Sequence, residues 1–122
     1  DYLDVFGEER IFGKVSGGDI WENKRTLFFI HSIENGSNYD VKSLLSLYSS
    51  EFNDFEKKKR EVIKIFKKNK SDIYLKNIIE KYQKKILNSI KNLPIEIKKQ
   101  QQFFNLFNTI MNRKLWYWKV FD

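Results

Sequence analysis

An all-α fold is predicted for this chain by three observations. Apolar residues recur at helical spacing along most of the 122 residues, no segment alternates convincingly with period two, and a single proline interrupts the chain. The segment TLFFIHSI (26–33) is apolar on nearly every side, with Thr26, Phe29, Ile30 and Ile33 at helix spacing, and predicts a buried central helix. ENGSNYD (34–40) is a turn: Gly36 suits the position after the helix, and Ser37 or Asn38 caps the next one, which carries Leu44, Leu45 and Leu47. Asp54 caps a third helix, FEKKKREVIKIFKKNK, buried along Val62, Ile63 and Phe66, with the lysine runs 57–60 and 67–70 as solvated faces. Ser71 or Asp72 opens a longer helix striped by Leu75, Ile78, Ile79, Tyr82, Ile86 and Ile90. Pro94 is placed in the first turn of a last helix carrying Phe103, Leu106, Phe107, Ile110 and Met111.

Composition narrows the function classes. At 41% hydrophobic and 16% aromatic the chain can build one packed core. No internal repeat or long linker divides it, so residues 1–24 and 25–122 are expected to belong to the same single domain. The formal net charge of +7 raises nucleic acid or an anionic membrane as a partner. Its distribution argues otherwise. Residues 1–24 hold six acidic and three basic side chains, and residues 25–122 hold ten acidic and twenty basic ones. That excess lies on helices also rich in Ile, Asn, Phe and Tyr, a mixture that a bias toward AT-rich codons produces without an anionic partner. No nucleic-acid partner is expected, and no apolar run approaches transmembrane length. The absence of cysteine excludes disulfides and cysteine-based zinc sites or nucleophiles. The chain opens at Asp1, with neither Met nor the basic start of a signal peptide, and is expected to be a piece cut from a longer protein.

Residues 1–24 carry the candidate chemistry. Gly7, Gly13, Gly17 and Gly18 are four of the five glycines, so backbone freedom is concentrated in one loop. Asp1 and Asp4 stand at i and i+3, which puts both carboxylates on one face of a helix. Such a pair suits Mg²⁺, which takes one or two carboxylates, keeps waters and completes its shell with phosphate; a solvated pair has the same spacing. Lys14 and Lys24 flank the glycines, and the loop can serve as a pyrophosphate cradle or as a turn whose lysines point into water. It is not a P-loop: GEERIFGKV has five residues between Gly7 and Gly13 where four are required, and Val15 follows Lys14 where Ser or Thr is needed. His31, inside the apolar helix, is expected to be a packed, hydrogen-bonded histidine rather than a ligand. Trp116 and Trp118 suit terminal packing or an interface patch.

DYLDVFG (1–7) followed by FGKVSGGDIWENKRT (12–26) resembles the second aspartate-rich motif and following loop of the trans-isoprenyl diphosphate synthases, or polyprenyl synthetases. Asp1 and Asp4 match the second and third aspartates of that motif, the first being expected just before Asp1. Lys14 matches the lysine of Gly-Lys, Asp19 the aspartate of Gly-Gly-Asp, and Lys24 the lysine before Thr26. Tyr82 and Arg113 are softer matches, Trp21 is an unusual occupant of its position, and the tail LWYWKVFD follows no pattern of the family. The whole chain would correspond to roughly the family's last third.

The resemblance implies the C-terminal part of an isoprenoid-synthase-type helical bundle, in a cytoplasmic homodimer. It implies Mg²⁺-dependent head-to-tail condensation of isopentenyl diphosphate with an allylic diphosphate, of the farnesyl or geranylgeranyl type. Asp1 and Asp4 would belong to the metal site, Lys14 and Lys24 would bind the substrate diphosphate, and Asp19 would support the metal-bound waters or the loop. Two other classes remain open at this stage: a non-catalytic subunit of a heteromeric prenyl diphosphate synthase, and a basic helical module that binds polyanions.

Overall fold

The computed structural model describes residues 1–7, 16–49 and 52–111. Every regular element among them is a helix: α1 (Tyr2–Phe6), α2 (Gly18–Trp21), α3 (Leu27–Asn35), α4 (Asn38–Leu47), α5 (Phe55–Lys68), α6 (Ser71–Lys91) and α7 (Ile97–Met111). Two compact units result, Asp1–Asn77 and Ile78–Asp122.

In the first unit, local chemistry starts the helices where the sequence predicts. The Ser37 hydroxyl accepts from the Asp40 N–H at 3.1 Å and so caps α4, and the Asp54 carboxylate accepts from the Lys57 N–H at 3.1 Å and caps α5. Gly36 ends α3 in an extended conformation rather than a left-handed one. It is needed for space, since a Cβ there would come within 2.5 Å of the Ser32 carbonyl oxygen.

The core forms where α3, α4 and α5 meet, around Phe28, Leu44, Val62 and Phe66, all fully buried. Phe28 stacks on Phe66 with ring centroids 5.4 Å apart and meets Phe6 of α1 edge-on at 5.4 Å, which ties the first helix to the core. α3 is less central than its composition predicts. Phe28, Phe29 and Ser32 point inward, while Leu27 and Ile30 are 41% and 43% exposed. Ser32 takes a core position because it has partners there: its Oγ lies 2.7 Å from Ser71 Oγ, which in turn lies 2.8 Å from His31 Nδ1. His31 also stacks on Tyr74 at 4.2 Å, so it is the packed, hydrogen-bonded histidine expected.

The lysine runs of α5 are not uniformly solvated. Lys58 is only 2% exposed, on the same face as Val62, Ile65 and Phe66. In the second unit, Ile90 of α6 is buried, whereas Tyr82 and Ile86 of the predicted stripe are 57% and 44% exposed. Pro94 lies in the bend before α7 rather than in its first turn. The Glu96 carbonyl accepts from the Lys99 and Gln100 N–H groups at 2.9 and 3.0 Å, so the helix begins after Glu96. Arg113, Trp116 and Trp118 lie outside the described residues.

Candidate functional site

Asp1 stands exposed at the N-cap, just before α1, and Asp4 is in the first turn of that helix. Asp4 does more than face solvent. Its backbone carbonyl accepts from the Gly17 N–H at 2.6 Å, and its Oδ2 accepts from the Asp19 N–H at 2.8 Å. The short helix α2 is thereby seated on Asp4, with a carboxylate against the positive end of its backbone.

The entry to α2 requires one glycine. Gly17 adopts φ +91°, a left-handed conformation that L side chains rarely take, and a Cβ there would come within 2.9 Å of the Lys59 side chain. A Cβ on Gly18 would meet Asp4 Oδ1 at 3.4 Å, an ordinary van der Waals contact, so Gly18 is not required for space.

α2 ends in a Schellman motif. The Lys24 N–H bonds the Asp19 carbonyl at 2.9 Å, the Asn23 N–H bonds the Ile20 carbonyl at 3.1 Å, and Asn23 adopts φ +57° between them. The motif brings Asp19 and Lys24 together: Lys24 Nζ lies 2.9 Å from Asp19 Oδ1 and 3.3 Å from Glu22 Oε2. Hydrogen bonds to Asp19 and then Glu22 raise the pKa of Lys24, whose side chain is 57% exposed while that of Asp19 is 15% exposed.

Beneath the turn lies a cluster that sequence reasoning missed. Lys58 Nζ donates to Asn23 Oδ1 and sits 5.6 Å from the Trp21 ring centroid and 5.5 Å from that of Tyr48. Burial lowers the pKa of Lys58. Burial, and after it the charges of Asp19 and Asp4, push the hydroxyl of the half-buried Tyr48 well above its ordinary value. Trp21 is held edge-on against Phe55 at 5.5 Å, which accounts for a tryptophan at this position. The available signal was the spacing of Lys58: it stands four residues before Val62 and eight before Phe66, on the buried stripe of α5.

The structure therefore brings Asp4, Asp19 and Lys24 into one bonded chain, with Asp1 one turn away along α1. Lys14 and Gly13 lie outside the described residues. Among the described residues no group of three or more His, Asp or Glu side chains could hold a metal ion by itself. An Asp1–Asp4 pair of hard oxygens fits Mg²⁺ only as a partial shell, completed by water and phosphate, which is how that ion is ordinarily held at phosphate sites. A separate groove of about 670 Å³ runs between α4 and α5, lined by Tyr39, Lys42, Lys64 and Lys68 among others; none of the residues above lines it. No helix of the described residues is long and apolar enough to cross a membrane.

Comparison with known proteins agrees with the motif. Over 68 residues the chain is 40% identical to a short chain isoprenyl diphosphate synthase of Methanothermobacter thermautotrophicus, a match that covers 56% of this chain and 20% of that relative. The matched stretch thus spans a fifth of the relative's length. No solved structure matches the chain significantly. The polyprenyl synthetase family model matches residues 1–66, more than half of the chain and inclusive of Asp1, Asp4, Lys14, Asp19 and Lys24; this chain belongs to the polyprenyl synthetase family.

Proposed function

We propose that the chain is part of a prenyl diphosphate synthase, which joins isopentenyl diphosphate head-to-tail to an allylic diphosphate of the farnesyl or geranylgeranyl type. The observation that carries this reading is the run of contacts Asp4–Asp19–Lys24, which links an acidic helix face to a basic turn. The chemistry demands that pairing. An allylic diphosphate ionises by breaking a C–O bond, negative charge accumulates on the departing pyrophosphate, and fixed positive charge lowers the barrier. Mg²⁺ bound at the site supplies Lewis-acid stabilisation of that charge.

The chain's own residues do the rest. Asp1 and Asp4 hold the metal from the face of α1. Lys14 and Lys24 bind the diphosphate oxygens as point charges. Asp19 aims Lys24 and would support waters at the metal, and the diphosphate oxygens would compete with Asp19 and Glu22 for the exposed Lys24 ammonium. In this reading residues 1–24 supply the site on the helices of 25–122 within one domain of a cytoplasmic homodimer.

The test is prenyl transfer by the intact protein with labelled isopentenyl diphosphate, an allylic diphosphate and Mg²⁺, followed by sizing of the product. Product that requires Mg²⁺ is expected, and its length identifies the class. No product from a folded protein would move the reading to a non-catalytic subunit of a heteromeric synthase. Asp4→Asn retains an acceptor for the Asp19 N–H while removing the charge, so it separates metal binding from the seating of α2. Its turnover, like that of Lys14→Ala, should fall by about 10²–10³; unchanged rates would remove these residues from the site.

A further inference from the structure

We infer that Lys58, which lies on α5 outside the motif, is a positioning residue for the diphosphate-binding turn: its buried ammonium holds Asn23 in the left-handed conformation and thereby sets the register of Asp19 and Lys24. The inference deepens the prenyl-transfer reading and rests on it.

A locally unfavourable charge here faces a residue suited to its turn. Lys58 is 2% exposed at a stripe position shared with Val62, Ile65 and Phe66, where a leucine or methionine would fill the space without the cost of desolvating a charge. Asn23 occupies the position after α2 where glycine is usual, at φ +57°. The Lys58 ammonium donates to the Asn23 side-chain oxygen, across 35 positions of sequence, and the rings of Trp21 and Tyr48 supply further shelter for the charge. The Asn23 oxygen makes the buried charge tolerable, and the ammonium adds to asparagine's own capacity for the left-handed region.

The consequence reaches the site through the backbone. With Asn23 left-handed, the Schellman bonds Asn23 N–H to Ile20 and Lys24 N–H to Asp19 both close. Those bonds place the Lys24 side chain on Asp19, whose own N–H is held by Asp4. If Asn23 leaves the left-handed region the Lys24–Asp19 pairing opens, while the helices stay packed. Lys58 touches no substrate atom in this account; it acts through Asn23.

The test compares four variants of the intact protein with wild type: Lys58→Met, Lys58→Arg, Asn23→Gly and the double variant Lys58→Met/Asn23→Gly. Steady-state kinetics with the allylic diphosphate is one readout, and amide hydrogen exchange at Asn23 and Lys24 without substrate is the other. Lys58→Met should lower kcat/KM by about 10–100-fold, chiefly through KM for the allylic diphosphate, and speed exchange at both amides at least about tenfold. Lys58→Arg keeps the charge and a donor but adds bulk at a site 2% exposed, so its loss should lie between wild type and Lys58→Met. Glycine takes the left-handed conformation unaided, so the double variant should recover most of the lost kcat/KM, whereas Asn23→Gly alone keeps the turn but leaves the buried Lys58 ammonium without its acceptor and should lower stability.

Wild-type KM and wild-type exchange in Lys58→Met would overturn the inference, as would a double variant no better than Lys58→Met. If Lys58→Met fails to fold, Asn23→Ala removes the same acceptor from the other side and should reproduce the KM and exchange effects. If wild-type protein makes no prenyl product, the functional reading falls. The exchange data then still decide whether Lys58 holds the turn.

Discussion

The units Asp1–Asn77 and Ile78–Asp122 draw on the same lysine-, isoleucine- and asparagine-rich composition, and they bury it differently. In the first, Phe28, Leu44, Val62 and Phe66 are sealed from solvent, and Ser32, Asp40, Lys58 and Ser71 are buried beside them with polar partners. Among the described residues of the second, Ile90 is buried, no residue of α7 is, and Phe103, Leu106 and Ile110 are about half exposed. Apolar content does not separate the two. What separates them is the polar bonds that join distant elements: Asp4 to Asp19, Ser32 to Ser71, Asp40 to Lys68 and Lys58 to Asn23. Among the described residues of the second unit, Gln100 Nε2 bonds the nearby Lys91 and Leu93 carbonyls, Ser89 Oγ the Lys85 carbonyl and Thr109 Oγ1 the Asn105 carbonyl, all within nine positions of sequence. A helical stripe identifies a helix; cross-element polar bonds identify which stripe is covered. The match to the family model, residues 1–66, falls within the covered unit.

The harshest way to break this comparison is at its centre. Phe66→Ala removes a ring stacked on Phe28 and leaves a cavity, at a cost of roughly 3–5 kcal/mol. That is comparable to the whole stability of a small domain. Urea unfolding of the 122-residue chain, followed by exchange at residues 1–77, should show the first unit melting, and a cost below about 1 kcal/mol would show that Phe66 is not the keystone described.

Much of that unit was legible in the sequence, for reasons that are local. Ser37 and Asp54 were readable as caps because a cap involves only the next three residues, and Val62 and Phe66 because period 3.6 needs only α5 itself. Lys58 was misread by the same rule, since charge at a stripe position is ordinarily solvated. Its partners Trp21, Asn23 and Tyr48 come from elsewhere in the chain and meet it only through the fold. The site divides the same way. Asp1, Asp4, Lys14, Asp19 and Lys24 were marked by a motif whose order and spacing are visible in one dimension. The Schellman turn that pairs Asp19 with Lys24 was not, because asparagine stands where glycine would have announced it.

Acid should act next on the first unit. Hydrogen bonding from Lys68, and after it from Asn69, the Lys68 charge and Ser37, outweighs burial and holds the Asp40 carboxyl below its ordinary 3.8. A depressed carboxylate contributes stability that is present above the unfolded value and lost as pH falls through the folded value. The contacts of Asp40 with Lys68 at 2.9 Å and Asn69 at 3.3 Å should therefore weaken only below about pH 3.8, with a loss of stability that solvent screening of the 60%-exposed Lys68 holds down. Asp40→Asn should flatten that part of the pH–stability curve. An acid limb of equal steepness in the variant would assign it to other carboxylates.

Gly17→Ala probes the link between the core and the site. The left-handed φ and the close Lys59 side chain should together cost roughly 1–2 kcal/mol, less if Lys59 moves aside. The distinguishing result is where the loss appears: exchange should quicken at Gly17 and Asp19, whose N–H groups Asp4 holds, and stay unchanged in α4.

The smallest effect is the most informative about the second unit. Leu106 is 56% exposed on α7, so Leu106→Ala in the 122-residue chain removes few contacts and replaces leucine by the best helix former. Stability should change by less than about 0.5 kcal/mol. The cost of truncating an apolar side chain measures how much of it is covered, so the same substitution serves as a gauge in the intact protein. A small value there as well would leave the Phe103–Leu106–Ile110 stripe solvated in both. A cost of about 2 kcal/mol or more would mean that another surface covers α7 in the intact protein, and that the contrast between the two units belongs to the isolated chain.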